Sequence, residues 1–221
     1  MRYYPIFLDI QNRRCLVIGG GAVGSRKVAT LLACGAVVTV VSLEADKTLL
    51  DLAARDIILL HQRAYQPADV DGMFLVIGAT SDDQLNGRIK SDTEKAGILC
   101  NIVDRPDDCN FILPSIVSRG DLTIAISTSG KSPAFAKKLR KDLKSQFGPE
   151  YATFLQLMGV IRTQLLSRGH QPAVHKKIFE QLIAGNLLEL VKKKRTKAID
   201  SLLFEVLGPG FEYELLMKLT T

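Results

Sequence analysis

The sequence has 221 residues, enough to bury a proper core and to form one or two domains. Its apolar fraction of 47% and charged fraction of 24% are those of an ordinary globular protein, and no apolar run approaches the ~20 residues needed to cross a bilayer. The opening Met1-Arg2-Tyr3-Tyr4-Pro5 has neither the apolar stretch nor the cleavage site of a secretory signal, so a cytoplasmic location is expected. A net charge of +6 suits anionic partners of any kind and by itself chooses none.

In chain order, short apolar runs alternate with helical patterns. Cys15–Gly19, Val37–Ser42, Ile57–His61, Met73–Thr80 and Ile98–Val103 read as buried strands rich in Val, Ile and Leu. Ala22–Cys34, Ala45–Arg55 and Asp82–Ala96 between them carry helical periodicity. Such alternation argues for a doubly wound α/β domain, a parallel sheet covered on both faces. After Asp104 the pattern changes. Phe111–Val117 and Leu122–Ser127 are strand-like around a turn at Ser118-Arg119-Gly120-Asp121. Ser132-Pro133 then opens a helix, with Phe135, Leu139, Leu143 and Phe147 along one face and lysines and arginines over the remainder. From Glu150 onward the chain reads as all-helical, with breaks at Gly169–Pro172, near Gly185-Asn186 and at Gly208-Pro209-Gly210. The expected domains are therefore 1–113 (Rossmann-type), 114–147 (a small β-containing connector) and 148–221 (helical).

Gly19-Gly20-Gly21-Ala22-Val23-Gly24 fits the G-x-G-x-x-G fingerprint, placed after a strand and opening a helix. Gly19 permits the tight turn, Gly21 lets the backbone approach a pyrophosphate, and Gly24 allows close helix–strand packing. The phosphates then lie against the helix N-terminus, around Ala22 and Val23. Leu43 and Glu44 follow the second strand. Glu44 reads either as an acceptor for the adenosine ribose hydroxyls or as a cap of the next helix. No Arg or Lys follows this strand immediately to receive a 2′-phosphate, Lys47 being the nearest, so NAD is the expected cofactor. Thr80, Asn101 and Asp104 lie at carboxyl ends of strands, where ligands of open α/β sheets bind.

The cysteines Cys15, Cys34, Cys100 and Cys109 lack zinc-knuckle spacing, and the histidines are scattered, so no metal site is expected. Cys15, Cys34 and Cys100 read as packed thiols, and Cys109 as a loop residue open to solvent.

Several segments together resemble the precorrin-2 dehydrogenase family, which includes the N-terminal part of siroheme synthase and its stand-alone relatives. They are Tyr4-Pro5-Ile6-Phe7-Leu8-Asp9, the run from Cys15 to Lys27, Cys100-Asn101-Ile102-Val103-Asp104, Phe111-Ile112-Leu113-Pro114-Ser115 and Ser127-Thr128-Ser129-Gly130-Lys131-Ser132-Pro133-Ala134. The glycine loop is common to many dehydrogenases; the later segments, in this order, are more specific. The resemblance covers roughly residues 3–145 closely and the helical remainder in general character. It implies an NAD-linked oxidation of precorrin-2 to sirohydrochlorin, ferrous-iron insertion in the same cleft in some members, and a homodimer joined through the connector. Asp104 matches the family's aspartate proposed to act in both steps. As a carboxylate at the cleft edge, it is suited to accept the proton that leaves as hydride is removed. The chain departs from the pattern at Thr128, where some siroheme synthases have a phosphorylatable serine. It also departs at Gly24, often alanine in the family, and at Lys131, which adds a cation to a small-residue loop.

Precorrin-2 is a polycarboxylate, so Asn101, Ser127, Thr128, Lys131 and Arg119 are candidate substrate contacts. The basic run Lys137/Lys138/Arg140/Lys141/Lys144 reads either as a steering surface or as a solvated helix face. No nucleic-acid-binding motif is legible. The rival reading is an NAD(H)-sensing module without catalysis, which needs no carboxylate at Asp104. A small hydroxy-acid dehydrogenase is weakened by the lack of a His–Asp pair or Ser/Tyr/Lys signature.

Overall fold

The computed structural model describes residues 2–168 and 172–219. The chain divides into two compact units, Met1–Leu113 and Pro114–Thr221. Among the described residues no helix is long and apolar enough to cross a membrane.

The first unit is a parallel sheet of order β3-β2-β1-β4-β5, formed by β1 (Arg14–Gly20), β2 (Val37–Ala45), β3 (Leu59–Gln62), β4 (Leu75–Gly78) and β5 (Leu99–Ile102). Successive side chains of a strand point to opposite faces, and here both faces are apolar. From β1, Cys15 and Val17 join Val28 and Leu31 of α1 (Ala22–Ala33) and Leu49 of α2 (Lys47–Ala54) on one side. Leu16 and Ile18 join Ile89 of α3 (Asp83–Lys95), Cys100 and Ile102 on the other. A doubly covered sheet explains why its strands read as continuous rather than alternating hydrophobic runs. Strand order reverses between β1 and β4, and the glycine loop after β1 and the Ala79-Thr80 segment after β4 lie at that switch point.

The second unit opens with an antiparallel hairpin, β6 (Ser115–Arg119) and β7 (Leu122–Ile126), followed by α4 (Pro133–Gln146). Ser132 caps α4 by accepting from the Phe135 N–H at 3.2 Å, with Pro133 at the first helical position. The helices α5 (Glu150–Ser167), α6 (Pro172–Ala184), α7 (Leu187–Lys192), α8 (Thr196–Leu207) and α9 (Tyr213–Lys218) then close on a core that includes Leu157, Ile161, Leu187, Leu203 and Leu216.

Several boundaries differ from the sequence reading. The strand expected from Phe111 begins only at Ser115, because Asn110 folds back along β5 and Pro114 has no N–H to give a ladder. The expected four-residue turn is two residues, since Ser118 and Arg119 pair with Thr123 and Leu122. Gly120 turns the chain at φ +58°, and a Cβ there would meet Ala152 of α5 at 2.9 Å, so the corner tolerates only glycine. The basic run Lys192–Arg195 ends α7, with Lys194 at φ +51°. The break expected at Gly169–Pro172 falls, up to Pro172, outside the described residues.

Candidate active site

The glycine loop is shaped by close backbone approach. Gly19 adopts φ +115°, and a Cβ there would strike the carbonyl oxygen of Ala79 beyond β4. A Cβ on Gly24 would strike the Gly19 carbonyl, so α1 packs directly on the turn before it. Gly21 is different: nothing lies within 4 Å of where its Cβ would stand. It is the N-cap of α1 and supplies no capping side chain, leaving the first-turn N–H groups at Ala22 and Val23 without a side-chain cap. This cradle fits a dinucleotide pyrophosphate, which needs close backbone approach, free N–H donors and the positive end of a helix dipole.

A side-chain network fixes the loop from the β2 side. Gly20 N–H donates to Ser42 Oγ at 2.9 Å, and Asp46 N–H donates to the Gly20 carbonyl at 2.9 Å. Asp46 also accepts from Ser25 Oγ on α1 at 2.5 Å and from Leu49 N–H at 3.0 Å. The Ser25 hydrogen bond, followed by the Leu49 N–H, holds the Asp46 carboxyl below its usual range. Asp46 is thus the cap of α2, which removes that alternative for Glu44. Glu44 lies inside β2, whose last residue is Ala45 rather than the expected Ser42, and both Glu44 and Leu43 are exposed.

Thr80 follows β4, just beyond its end at Gly78. Its Oγ1 accepts from Asp82 N–H at 2.9 Å, and its carbonyl accepts from the buried Asn86 amide at 3.1 Å. After β5, Asp104 is exposed and holds φ +62°, a left-handed conformation that Asp adopts more readily than most residues. The half-buried Lys27 of α1 lies within electrostatic reach of Asp104. Desolvation, then Arg26, lowers the affinity of its amine for a proton, and Asp104 partly restores it.

The segment carrying Asp104 is braced on every side. Asn101, 8% exposed, donates its amide to the Phe111 carbonyl at 3.0 Å and approaches Cys109 Sγ at 3.5 Å. Asn101 thereby holds the returning chain. Cys109, expected in an exposed loop, is half-buried: its Sγ lies 3.2 Å from Ile102 N and 3.1 Å from the Arg105 carbonyl. Asn110 extends the β5 edge, accepting from Cys100 N–H at 2.8 Å and donating to the Ile98 carbonyl at 3.0 Å. Arg105 pairs with Asp83, and Lys90 pairs with Asp108 at 2.9 Å, tying α3 to the same segment. Cys34, expected to be packed, is exposed at the C-cap of α1; Cys15 and Cys100 are buried. Burial pushes the Cys15 thiol up to about 11.

In the second unit Ser127 Oγ accepts from Ser129 N–H at 3.0 Å and Thr128 Oγ1 accepts from Ser132 N–H at 3.2 Å. Lys131 closes the turn through its own N–H, which donates to the Thr128 carbonyl at 3.0 Å, and its ammonium is exposed. Arg119, expected in a turn, is the last residue of β6. Its guanidinium donates to the carbonyls of Phe147 at 2.8 Å, Lys144 at 2.9 Å and Ser118 at 3.1 Å. Ser25, Ser42, Asp46 and Lys27 were not singled out in the sequence. The hydrogen bonds of Ser42 with Gly20 and of Ser25 with Asp46 join residues more than 20 positions apart, for which no local pattern exists.

Residues 6–115 match a family described as putative NAD(P)-binding, and residues 119–146 match the central part of sirohaem biosynthesis proteins. Siroheme synthase from Methylococcus capsulatus is 33% identical over 205 residues, covering 93% of this chain and 43% of the relative. Siroheme synthase from Thioalkalivibrio sulfidiphilus is 35% identical over 212 residues, covering 96% and 43%. The solved structure of SirC, precorrin-2 dehydrogenase, superposes with a TM-score of 0.77 at 26% identity, covering 90% of this chain and 98% of that one. The chain belongs to the family of siroheme synthase N-terminal regions and their stand-alone relatives. It spans less than half the length of the siroheme synthases it matches and nearly the whole of the stand-alone structure. Within that family its NAD(P)-binding half is the parallel-sheet unit, with the open cradle over Gly21 at the switch point.

Proposed function

We propose that the chain is an NAD-dependent dehydrogenase that oxidises precorrin-2 to sirohydrochlorin. The observation that carries this reading is a free, exposed carboxylate, Asp104, held in a left-handed conformation on a braced segment in the same unit as an open dinucleotide cradle. The close likeness to a precorrin-2 dehydrogenase structure supports the choice of substrate. NAD supplies the hydride acceptor. Asp104 takes the proton released from the macrocycle as hydride leaves, which requires an ionised, solvent-reachable carboxylate. Lys27 lies within electrostatic reach of it. Asn101 braces the segment that carries Asp104 through its hold on Phe111. Ser127, Thr128 and Lys131 offer hydroxyl and ammonium groups to substrate carboxylates. Anaerobic mixing of the chain with NAD and precorrin-2 tests the reading by the appearance of NADH.

Preference for NAD over NADP rests on Glu44, exposed at the end of β2 and not used as a helix cap. Its carboxylate accepts from ribose hydroxyls and repels a 2′-phosphate. Glu44→Gln is expected to weaken NAD binding by about fivefold and to narrow the gap to NADP, read by titration with each cofactor. An unchanged cofactor ratio would remove Glu44 from the site.

The same carboxylate suits a second step, insertion of ferrous iron, in which the macrocycle nitrogens are the ligands and Asp104 again receives protons. Sirohydrochlorin and ferrous iron, with and without the chain, test that step by the siroheme spectrum. We further infer a homodimer. Tyr4, Ile6 and Phe7 of the first unit are 84%, 65% and 75% exposed, an apolar group that a second copy could cover. A monomer mass in solution would contradict this.

A further inference from the structure

A second basic feature lies apart from the Ser127–Ser132 loop. Between β6 and the C-terminal half of α4 is a cavity of about 320 Å³ lined by Ile116, Val117, Arg119, Arg140, Lys141 and Lys144. No carboxylate lines it, and among the described residues none pairs with Arg140, Lys141 or Lys144, although Lys138 on the same helix pairs with Asp142. Like charges gathered without counter-charge repel one another, a cost that an anionic ligand would relieve.

The groove is also built rather than merely charged. The Arg119 guanidinium is locked by the carbonyls of Ser118, Lys144 and Phe147, which leaves two of its five N–H donors for another partner. A fixed guanidinium with free donors pairs with carboxylates in defined geometry and loses little side-chain freedom on binding. Its apolar wall, Ile116 and Val117, suits a hydrocarbon edge beside the acid groups. The volume is at the lower end of the roughly 300–1,000 Å³ of small-molecule sites, enough for one edge of a large ligand and not for a whole macrocycle. Along α4, Arg140 and Lys144 are about 10 and 16 Å from Pro133 at ~1.5 Å per residue, so the groove lies two to three turns beyond the start of the helix.

We propose that the groove between β6 and α4 is a carboxylate-binding site that takes the acidic side arms along one edge of a tetrapyrrole, with Arg119, Arg140, Lys141 and Lys144 as its cations. The choice of tetrapyrrole over other polycarboxylates rests on the dehydrogenase reading; the groove and its charge do not.

The test uses the full chain and uroporphyrin, a porphyrin polycarboxylate, with its uncharged methyl ester as a control, read by fluorescence titration at low and high salt. The groove variant R140Q/K141Q/K144Q is compared with R162Q/K177Q/K197Q, which loses the same charge from exposed positions on the later helices. We expect the groove variant to lose about tenfold in uroporphyrin affinity and to show a weaker salt dependence, while the other variant binds nearly as the parent does. Equal losses in both variants, no loss in either, or ester binding as tight as that of the acid would overturn the proposal. The two readings fail separately. Groove-dependent uroporphyrin binding by a chain that forms no NADH from precorrin-2 keeps the groove and removes the dehydrogenase. NADH formation with unaltered uroporphyrin binding by the groove variant does the reverse.

Discussion

Asp104→Asn is expected to lower NADH formation from precorrin-2 by about 10²–10⁴-fold, the usual worth of a positioned proton acceptor, while NAD binds as before. Asn keeps the size of Asp and shares its tolerance of the left-handed conformation at φ +62°, so the backbone of the segment is retained. The bracing of that segment runs through Asn101, Cys109, Asn110 and Arg105 and does not use the Asp104 side chain. What the substitution removes is the capacity to accept a proton. The loss should therefore fall on kcat, with the NAD dissociation constant unchanged in a direct titration. Full turnover by this variant would take Asp104 out of the chemistry. Loss of NAD binding would instead show that the carboxylate, or the loop shape it maintains, belongs to the cofactor site.

The second large effect separates two glycines only two residues apart. Gly21→Ala is expected to leave folding stability within about 0.5 kcal/mol of the parent, because its Cβ would point into open space at an ordinary backbone conformation. The same methyl group occupies the place where a pyrophosphate must approach the backbone, so NAD affinity should fall by at least about tenfold. Gly19→Ala is expected to do something else. Alanine at φ +115° is strained, and its Cβ would meet the backbone carbonyl of Ala79, which cannot move aside as a flexible side chain can. A loss of about 3 kcal/mol is expected in urea unfolding, with NAD binding failing because the loop no longer closes. If Gly21→Ala bound NAD as the parent does, the cradle would not be the pyrophosphate site. If Gly19→Ala were as stable as the parent, the tight approach of β1 and β4 would not shape the loop.

Much of the Rossmann unit is written in local pattern. Runs such as Cys15–Gly19 and Met73–Thr80 are apolar on both faces because helices cover both sides of the sheet, and the glycine loop is a fingerprint with a steric cause at each position. Signals fail where a role depends on contacts made across the sequence. Ser42 and Asp46 look like strand-end and cap residues, yet they fix the glycine loop from more than 20 residues away. Arg119 was read as a turn residue free for a ligand, and most of its donors are occupied by the end of α4. Asn101 reads as a polar residue at a strand end, yet it is buried and donates to the Phe111 carbonyl ten residues on. Cys34 has apolar neighbours in sequence but sits at the exposed end of α1, and Cys109, in a loop beside two aspartates, is drawn inward by backbone groups. In each case the sequence displays the side chain's chemistry and conceals its partner.

The most direct test of the account is a joint record of the NADH band and the visible spectrum when the purified chain meets NAD and enzymatically made precorrin-2 without oxygen. The account predicts that NADH and the sirohydrochlorin spectrum rise together, mole for mole, and that omitting NAD abolishes both. Bound NAD with neither band appearing would contradict it, and would leave the chain as a nucleotide-sensing member of its family.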